Sequence, residues 1–270
     1  MQSAKVRGSD GATFGGLSDN RSVHARFYAP EAERDGDVVD LPHEEAQHLV
    51  RVLRLTAGTA IRIFNGRGGE FDAVVDTATK AGVQVRVHGR RDAQAEVRVD
   101  VTLAQAVLKG DKMDEVVRDA VMMGVFAIRP IVTTRSEVTL ASLRRGHRQE
   151  RWQRISVSSA KQCGRAVVPV VREPCTLEEA LGPLGAAGST GCGLMLVEPS
   201  AAANVVSVGE VGERPSSATI LVGPEGGWTP EEITLGSSVC QPVTLGSRTL
   251  RADAMGLVAV TALLTHWREL

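Results

Sequence analysis

Hydrophobic and polar positions change rhythm once along this chain. Between Arg26 and Arg91 the period is mostly two. Ala60-Ile61-Arg62-Ile63-Phe64 runs into Asn65-Gly66-Arg67-Gly68-Gly69, and Glu70-Phe71-Asp72-Ala73-Val74-Val75 runs back out. Alternation on both sides of a glycine-rich turn predicts a β-hairpin. Gly82–Val87 alternates again, and only His43–Leu53, with Ala46, Leu49, Val50 and Leu53 on one face, reads as a helix. Short strands around one short helix predict a small β-barrel.

Beyond Arg98 strands and helices take turns. Strands are predicted at Val99–Leu103, Ala127–Val132, Val167–Val171, Leu194–Val197, Ala218–Val222 and Pro242–Leu245. Helices are predicted from Asp111, over Arg148–Gln162, over Leu177–Leu181, from Pro230, and over Ala252–Trp267. The helix from Asp111 shows Met113, Val116, Val117, Ala120 and Val121 at i, i+3, i+4, i+7 and i+8. The last helix is apolar nearly all round, which places it in the domain interior or in a dimer interface. Such alternation predicts an α/β domain with a mostly parallel sheet covered on both faces. The organisation read from the chain is a disordered leader over residues 1–22, a β domain over 23–95 and an α/β domain over 96–270. Residues 182–192 and 207–217 read as surface connections.

Composition narrows the function classes. With 270 residues, 43% hydrophobic and 23% charged, the chain is neither disordered nor fibrous. Its four cysteines form no C-x-x-C pair, which argues against a zinc ribbon or thioredoxin motif and suits a reducing cytosol. The chain has no run of 18 apolar residues and its start has no signal-peptide core, so a cytoplasmic protein without a membrane partner is expected. The histidines form no H-E-x-x-H, and His43 and His48 are spaced wrongly for one helix face, so no metal is expected. Cys163 with His147 is the only nucleophile pair to consider, and a lone cysteine is more often structural.

Net charge is −1, so a polyanion must be met by a local patch. Between Arg144 and Arg172 eight basic residues face one acid, Glu150, and Arg148, Arg151 and Arg154 recur every three residues. That asymmetry is the footprint of a nucleic-acid backbone, against the plainer reading of a solvated helix face.

Two strand–loop–helix passages carry the chemistry. Ile220-Leu221-Val222 enters Gly223-Pro224-Glu225-Gly226-Gly227-Trp228, and a helix opens with Thr229 as N-cap, Pro230 next and Glu232 completing a capping box. Leu245-Gly246-Ser247-Arg248-Thr249-Leu250-Arg251 leads into Ala252-Asp253-Ala254-Met255. In open α/β sheets ligands bind outside the carboxyl ends of the strands. Neither passage is a P-loop or a dinucleotide fingerprint, and Glu225 suits a ligand that is not phosphate-rich.

In this order, Leu41-Pro42-His43, His48-Leu49-Val50-Arg51-Val52-Leu53-Arg54, Lys109-Gly110-Asp111-Lys112-Met113-Asp114, Lys161-Gln162-Cys163-Gly164-Arg165 and the two loops above resemble the RsmE family of 16S ribosomal RNA uridine-N3 methyltransferases, in the SPOUT superfamily. The resemblance runs from about Arg26 to the C-terminus. It implies a PUA-like β-barrel followed by a SPOUT-type α/β domain with a C-terminal trefoil knot, S-adenosylmethionine as methyl donor, and a homodimer acting on the small ribosomal subunit. The implied cofactor residues are Leu196, Val197 and Glu198; Val222, Gly223, Pro224, Glu225, Gly226 and Gly227; and Leu245, Gly246, Ser247, Leu250 and Arg251. The implied RNA side draws on Lys112, Arg148, Arg151, Arg154, Lys161, Gln162 and Arg165. For catalysis, Arg165 is the expected cation for charge developing on uracil, with Asp253 and Arg251 beside the reacting base. Where the family continues with a Thr-Glu-Thr-Ala-like run, this chain has Ala252-Asp253-Ala254-Met255, a shorter carboxylate with two hydroxyls lost. Two other readings stay open: a non-catalytic RNA-binding or ribosome-assembly factor on the same fold, and a SPOUT enzyme modifying another RNA position.

Overall fold

The computed structural model describes residues 25–186, 191–202 and 204–270; the leader expected over 1–22 lies outside them. The first unit contains β1 (Arg26–Tyr28), β2 (Val38–Asp40), α1 (His43–Gln47), β3 (Ala60–Phe64), β4 (Glu70–Ala78) and β5 (Val83–Arg91), with sheet order β1-β3-β4-β5-β2. The hairpin forms as read. Phe64 stands opposite Glu70, and the Asn65 side-chain oxygen accepts from the backbone N–H of Arg67 and of Gly69, each at 2.9 Å. Phe27, Leu49, Ile61, Ile63, Phe71, Val75, Val85 and Val87 fill its core.

The predicted helix over His43–Leu53 is corrected. After α1 the chain widens into a π-helical turn, His48–Val52, where the Leu53 N–H donates to the His48 carbonyl at 3.0 Å. The wider turn shifts the phase of the stripe. Leu49 stays buried, while Leu53, read as core-facing, is exposed.

The second unit contains β6 (Asp100–Ala106), α2 (Lys112–Met122), β7 (Ala127–Val132), α3 (Leu140–Arg145), α4 (Arg148–Cys163), β8 (Val170–Val171), β9 (Cys175–Thr176) and α5 (Leu177–Leu181). It continues with β10 (Cys192–Leu196), β11 (Val206–Ser207), β12 (Ser217–Val222), α6 (Pro230–Ser237), β13 (Gln241–Thr244) and α7 (Ala252–His266). The sheet runs β11-β13-β10-β12-β6-β7-β8, with β9 also beside β7 and every pairing parallel. Val101, Leu103, Ile220 and Val222 meet Val117, Trp152 and Val260 on the face covered by α2, α4 and α7. Ala104, Met195 and Leu221 meet Leu177 and Ala180 of α5 on the other. Burial on both faces explains why these strands read as near-continuous apolar runs.

The units are joined by polar ties. Val167, predicted as strand, leaves the large sheet to bridge Gly66 and Arg67 in the hairpin turn. Arg26 pairs with Glu70 at 3.2 Å and donates to the carbonyls of Ala160, Lys161 and Arg165, closing the end of α4. Lys161 pairs with Glu45 at 2.7 Å.

Candidate active site

Because the large sheet is parallel, the carboxyl ends of β7, β10, β12 and β13 open on one edge. There the loops after β10, β12 and β13 enclose a cleft of about 490 Å³, within the range of small-ligand sites. Leu196, Val197 and Glu198, the whole run from Val222 to Gly227, and Leu250, Arg251 and Asp253 line it together with Lys112.

Local chemistry fixes the loops. Thr229 accepts from the Glu232 N–H at 3.2 Å and Glu232 accepts from the Thr229 N–H at 2.8 Å, so the capping box is formed. The buried Glu232 also accepts from the Thr134 N–H at 2.7 Å, tying the loop after β7 to the start of α6. The Trp228 indole N–H donates to the Leu196 carbonyl at 2.8 Å, locking two cleft loops together. A Cβ on Gly223 would sit 3.1 Å from that indole, so any larger residue would force the ring to give by a few tenths of an ångström. Arg135 Nη1 donates to the carbonyls of Gly226 and Trp228 at 2.7 and 3.1 Å and clamps the glycine loop from the β7 side.

Two ion pairs neutralise most of the charge. Lys112 Nζ meets Glu225 at 2.9 Å. Burial works against the Glu225 carboxylate, but the Lys112 hydrogen bond and backbone N–H donors, including that of Lys109, outweigh it and hold its pKa below the usual range. Arg251 grips Asp253 through two hydrogen bonds of 3.1 and 2.8 Å, and that grip lowers the Asp253 pKa and raises that of Arg251. Asp253 is therefore an ionised acceptor at neutral pH, sheltered in the cleft, while Arg251 is 75% exposed and free to meet a second molecule.

Other expected residues fall elsewhere. Leu245, Gly246 and Ser247 begin the third loop without lining the cleft: Leu245 packs against the core, and Gly246, at φ +116°, turns the chain. Arg165 needs the larger correction. Its guanidinium is buried, pairs with Glu96 at 2.5 Å, and donates to the carbonyls of Val121 and Val125 at 2.7 and 3.1 Å. It closes the end of α2 and cannot serve as the cation over a substrate in the cleft. Cys163 and His147 flank opposite ends of the 16-residue α4, which spans ~24 Å at 1.5 Å per residue, so they form no dyad.

The basic stripe is partly neutralised by acids distant in sequence. Arg151 pairs with Asp111 at 3.2 Å and also with Asp114, and Arg154 lies 3.8 Å from Glu44. Lys161 is absorbed at the joint between the units, and Gln162 is exposed near the end of α4. Arg144, Arg145, Arg148 and Arg172 make no ion pair among the described residues. The partners of Arg151 flank Lys112, so the basic face begins within one helical turn of the cleft.

Sequence reading passed over Arg135 and gave Trp228, at the end of the glycine loop, no site role, yet both line the cleft. Arg135 follows a predicted parallel strand by three residues, the position where ligand contacts in such sheets gather.

Comparison with known proteins agrees with this architecture. A family model described as "RNA methyltransferase domain" matches residues 95–264, and one described as "RNA methyltransferase PUA domain" matches residues 41–87. The class is thus an RNA methyltransferase with a PUA domain ahead of its α/β domain. A "Ribosomal RNA small subunit methyltransferase E" from Synechocystis is 31% identical over 84% of this chain and 73% of its own length. The crystal structure of a ribosomal RNA small subunit methyltransferase E from Neisseria gonorrhoeae, bound to S-adenosyl methionine, superimposes with a TM-score of 0.80 at 32% identity, covering 90% of this chain and 98% of that one. A Legionella pneumophila structure described as a methyltransferase with bound cofactor SAM also gives 0.80, at 29% identity over 89% and 97%. The chain belongs to the RsmE family of small-subunit ribosomal RNA methyltransferases.

Proposed function

We propose that this protein transfers a methyl group from S-adenosylmethionine to N3 of a uridine in 16S rRNA, in the cytoplasm and as a homodimer. The observation that carries the reading is the cleft itself, in a chain of this family. Apolar side chains (Leu196, Val222, Ile233, Met255) and open glycine backbone suit an adenine and ribose, and charged groups at the rim suit an amino-acid tail. The trefoil crossing implied by the family would bring these three loops together. The exposed side of α7, including Ala254 and Val258, is the surface proposed for the second copy.

Bound there, the cofactor supplies a methyl group already activated by its sulfonium. The protein's task is then to place N3 in line and manage its proton, so positioning supplies much of the rate. Asp253, held ionised by Arg251, is an acceptor for N3–H that orients the uracil. As the N3 proton passes to the Asp253 carboxylate, Arg251 and Lys112 stabilise the negative charge that grows on the ring oxygens. This moves the cationic role from Arg165 to residues that line the cleft. The remaining α4 arginines, Arg148 foremost, guide the RNA backbone toward it.

The test incubates the protein with labelled S-adenosylmethionine and small subunits from a strain lacking its gene, then digests the RNA and identifies nucleosides by mass. Labelled 3-methyluridine is expected. Label in another nucleoside would reject the N3 assignment, and absent label with absent cofactor binding would favour the non-catalytic factor.

A further inference from the structure

Six charged side chains line the cleft: Lys112, Arg135, Glu198, Glu225, Arg251 and Asp253. Four neutralise one another in the two ion pairs described above. Among the described residues, neither Arg135 nor Glu198 makes a salt bridge. Glu231, outside the cleft, has its pKa held down by backbone and Thr229 hydrogen bonds first, and the Arg135 charge adds to them. Within the cleft, one unbridged cation and one unbridged anion share a ligand-sized space.

Arg135 is also held in place. Its Nη1 is engaged with the carbonyls of Gly226 and Trp228, and its stem packs on Gly226, where an added Cβ would lie 3.2 Å from the Arg135 Cβ. The preceding residue is fixed by the Thr134–Glu232 hydrogen bond. Nε and Nη2 have no hydrogen-bond partner among the described residues. A guanidinium is planar and presents its donors as a rigid fork, so pinning one nitrogen presets the direction of the others. A preset, unpaired fork is suited to an oxyanion, which it binds with paired charge-assisted hydrogen bonds.

We propose that Arg135 is a specificity residue with two tasks: Nη1 holds the glycine loop, and its free edge binds the α-carboxylate of the cofactor's amino-acid tail. The proposal rests on the cofactor reading above. A carboxylate is favoured over an RNA phosphate because the free groups in the cleft are one cation and one anion. That arrangement complements a zwitterion bearing both α-carboxylate and α-ammonium, whereas a phosphodiester offers Glu198 only repulsion.

The test measures calorimetric affinities of the full chain for S-adenosylhomocysteine, which carries the zwitterionic tail, and for 5′-methylthioadenosine, which keeps the nucleoside and thioether but lacks it. Wild type is compared with Arg135→Gln, which keeps a donor for the loop carbonyls without the charge, and with Arg135→Ala. The expected result is a ~10-fold weaker affinity of both variants for S-adenosylhomocysteine, with 5′-methylthioadenosine changed by less than about twofold. Equal losses on both ligands would reduce Arg135 to a loop support and overturn the proposal. Unchanged affinity for both, with weaker RNA binding and a smaller salt dependence, would assign the free edge to phosphate and overturn it equally. If wild type binds neither ligand, the cofactor reading itself falls, a result distinct from a wild type that binds both and variants that do not discriminate.

Discussion

Replacing Arg165 with alanine separates a structural role from a catalytic one. Arg165 is 7% exposed, and its guanidinium makes hydrogen bonds to Glu96 and to two backbone carbonyls, those of Val121 and Val125. Truncating one partner of a buried ion pair costs ~3–5 kcal/mol, because the other partner and the abandoned acceptors stay behind without compensation. Glu96 retains 29% of its side-chain exposure and rehydrates in part, which brings the expected cost to the lower end, about 3 kcal/mol. At ~2–4 °C per kcal/mol for a protein of this size, Arg165→Ala should melt ~6–12 °C lower than wild type. Glu96→Gln, which keeps an acceptor for Arg165, should cost less, ~1 kcal/mol. Urea denaturation gives the stability change, and calorimetry on the folded variant should show nearly unchanged affinity for S-adenosylhomocysteine. An unshifted midpoint together with a 100-fold fall in turnover would refute the structural assignment and restore Arg165 to the chemistry.

Further outcomes follow from the same geometry. Gly223→Ala should displace the Trp228 indole, cost ~1–3 kcal/mol by overpacking and weaken cofactor binding at least tenfold, as read by calorimetry. Asp253→Asn removes the carboxylate that accepts from N3–H and should lower kcat ~100-fold while leaving the cofactor Kd within a few-fold. Glu269 accepts from the Arg98 N–H at 2.7 Å and from Arg214 at 2.7 Å, and the backbone donor first, then the arginines, hold its pKa down to about 2. A depressed carboxylate pKa stabilises the fold above the unfolded value near 4.5, and that stability is lost as pH falls toward 2. Urea midpoints followed with pH should therefore fall across this window in wild type, and Glu269→Gln should flatten the fall while lowering stability at neutral pH. Arg148→Ala should weaken RNA binding and reduce the salt slope by about one, whereas Arg151→Ala, already neutralised by Asp111 and Asp114, should change the slope less; equal effects would contradict the neutralisation argument.

Periodicity alone determined the long elements. The hairpin over Ala60–Val75, the strand over Ala127–Val132 and the helix over Leu177–Leu181 contain at least one full repeat of their own pattern, and a period of 2 or 3.6 is a local property. The Thr229-Pro230-x-Glu232 cap was legible for the same reason: all of its partners lie within one turn. The strands Arg26–Tyr28, Val38–Asp40 and Val206–Ser207 went unread, since two or three residues cannot establish a period and take their state from a neighbour, and the helix Leu140–Arg145 went unread because it buries a single residue, Leu143, and so shows no stripe. Tertiary structure also decided the fate of every cation. Sequence showed eight basic residues against one acid between Arg144 and Arg172, but Glu44, Glu45, Glu96, Asp111 and Asp114 arrive from other elements to neutralise half of the patch. Arg165 and Arg135 show the exchange most plainly. The first stands in a conspicuous motif and is buried as a cap for α2; the second stands in an unremarkable Thr-Thr-Arg-Ser run and is clamped into the cleft. Charge type is written in the sequence, but the partner that cancels it, or the space that leaves it free, exists only once distant segments have packed.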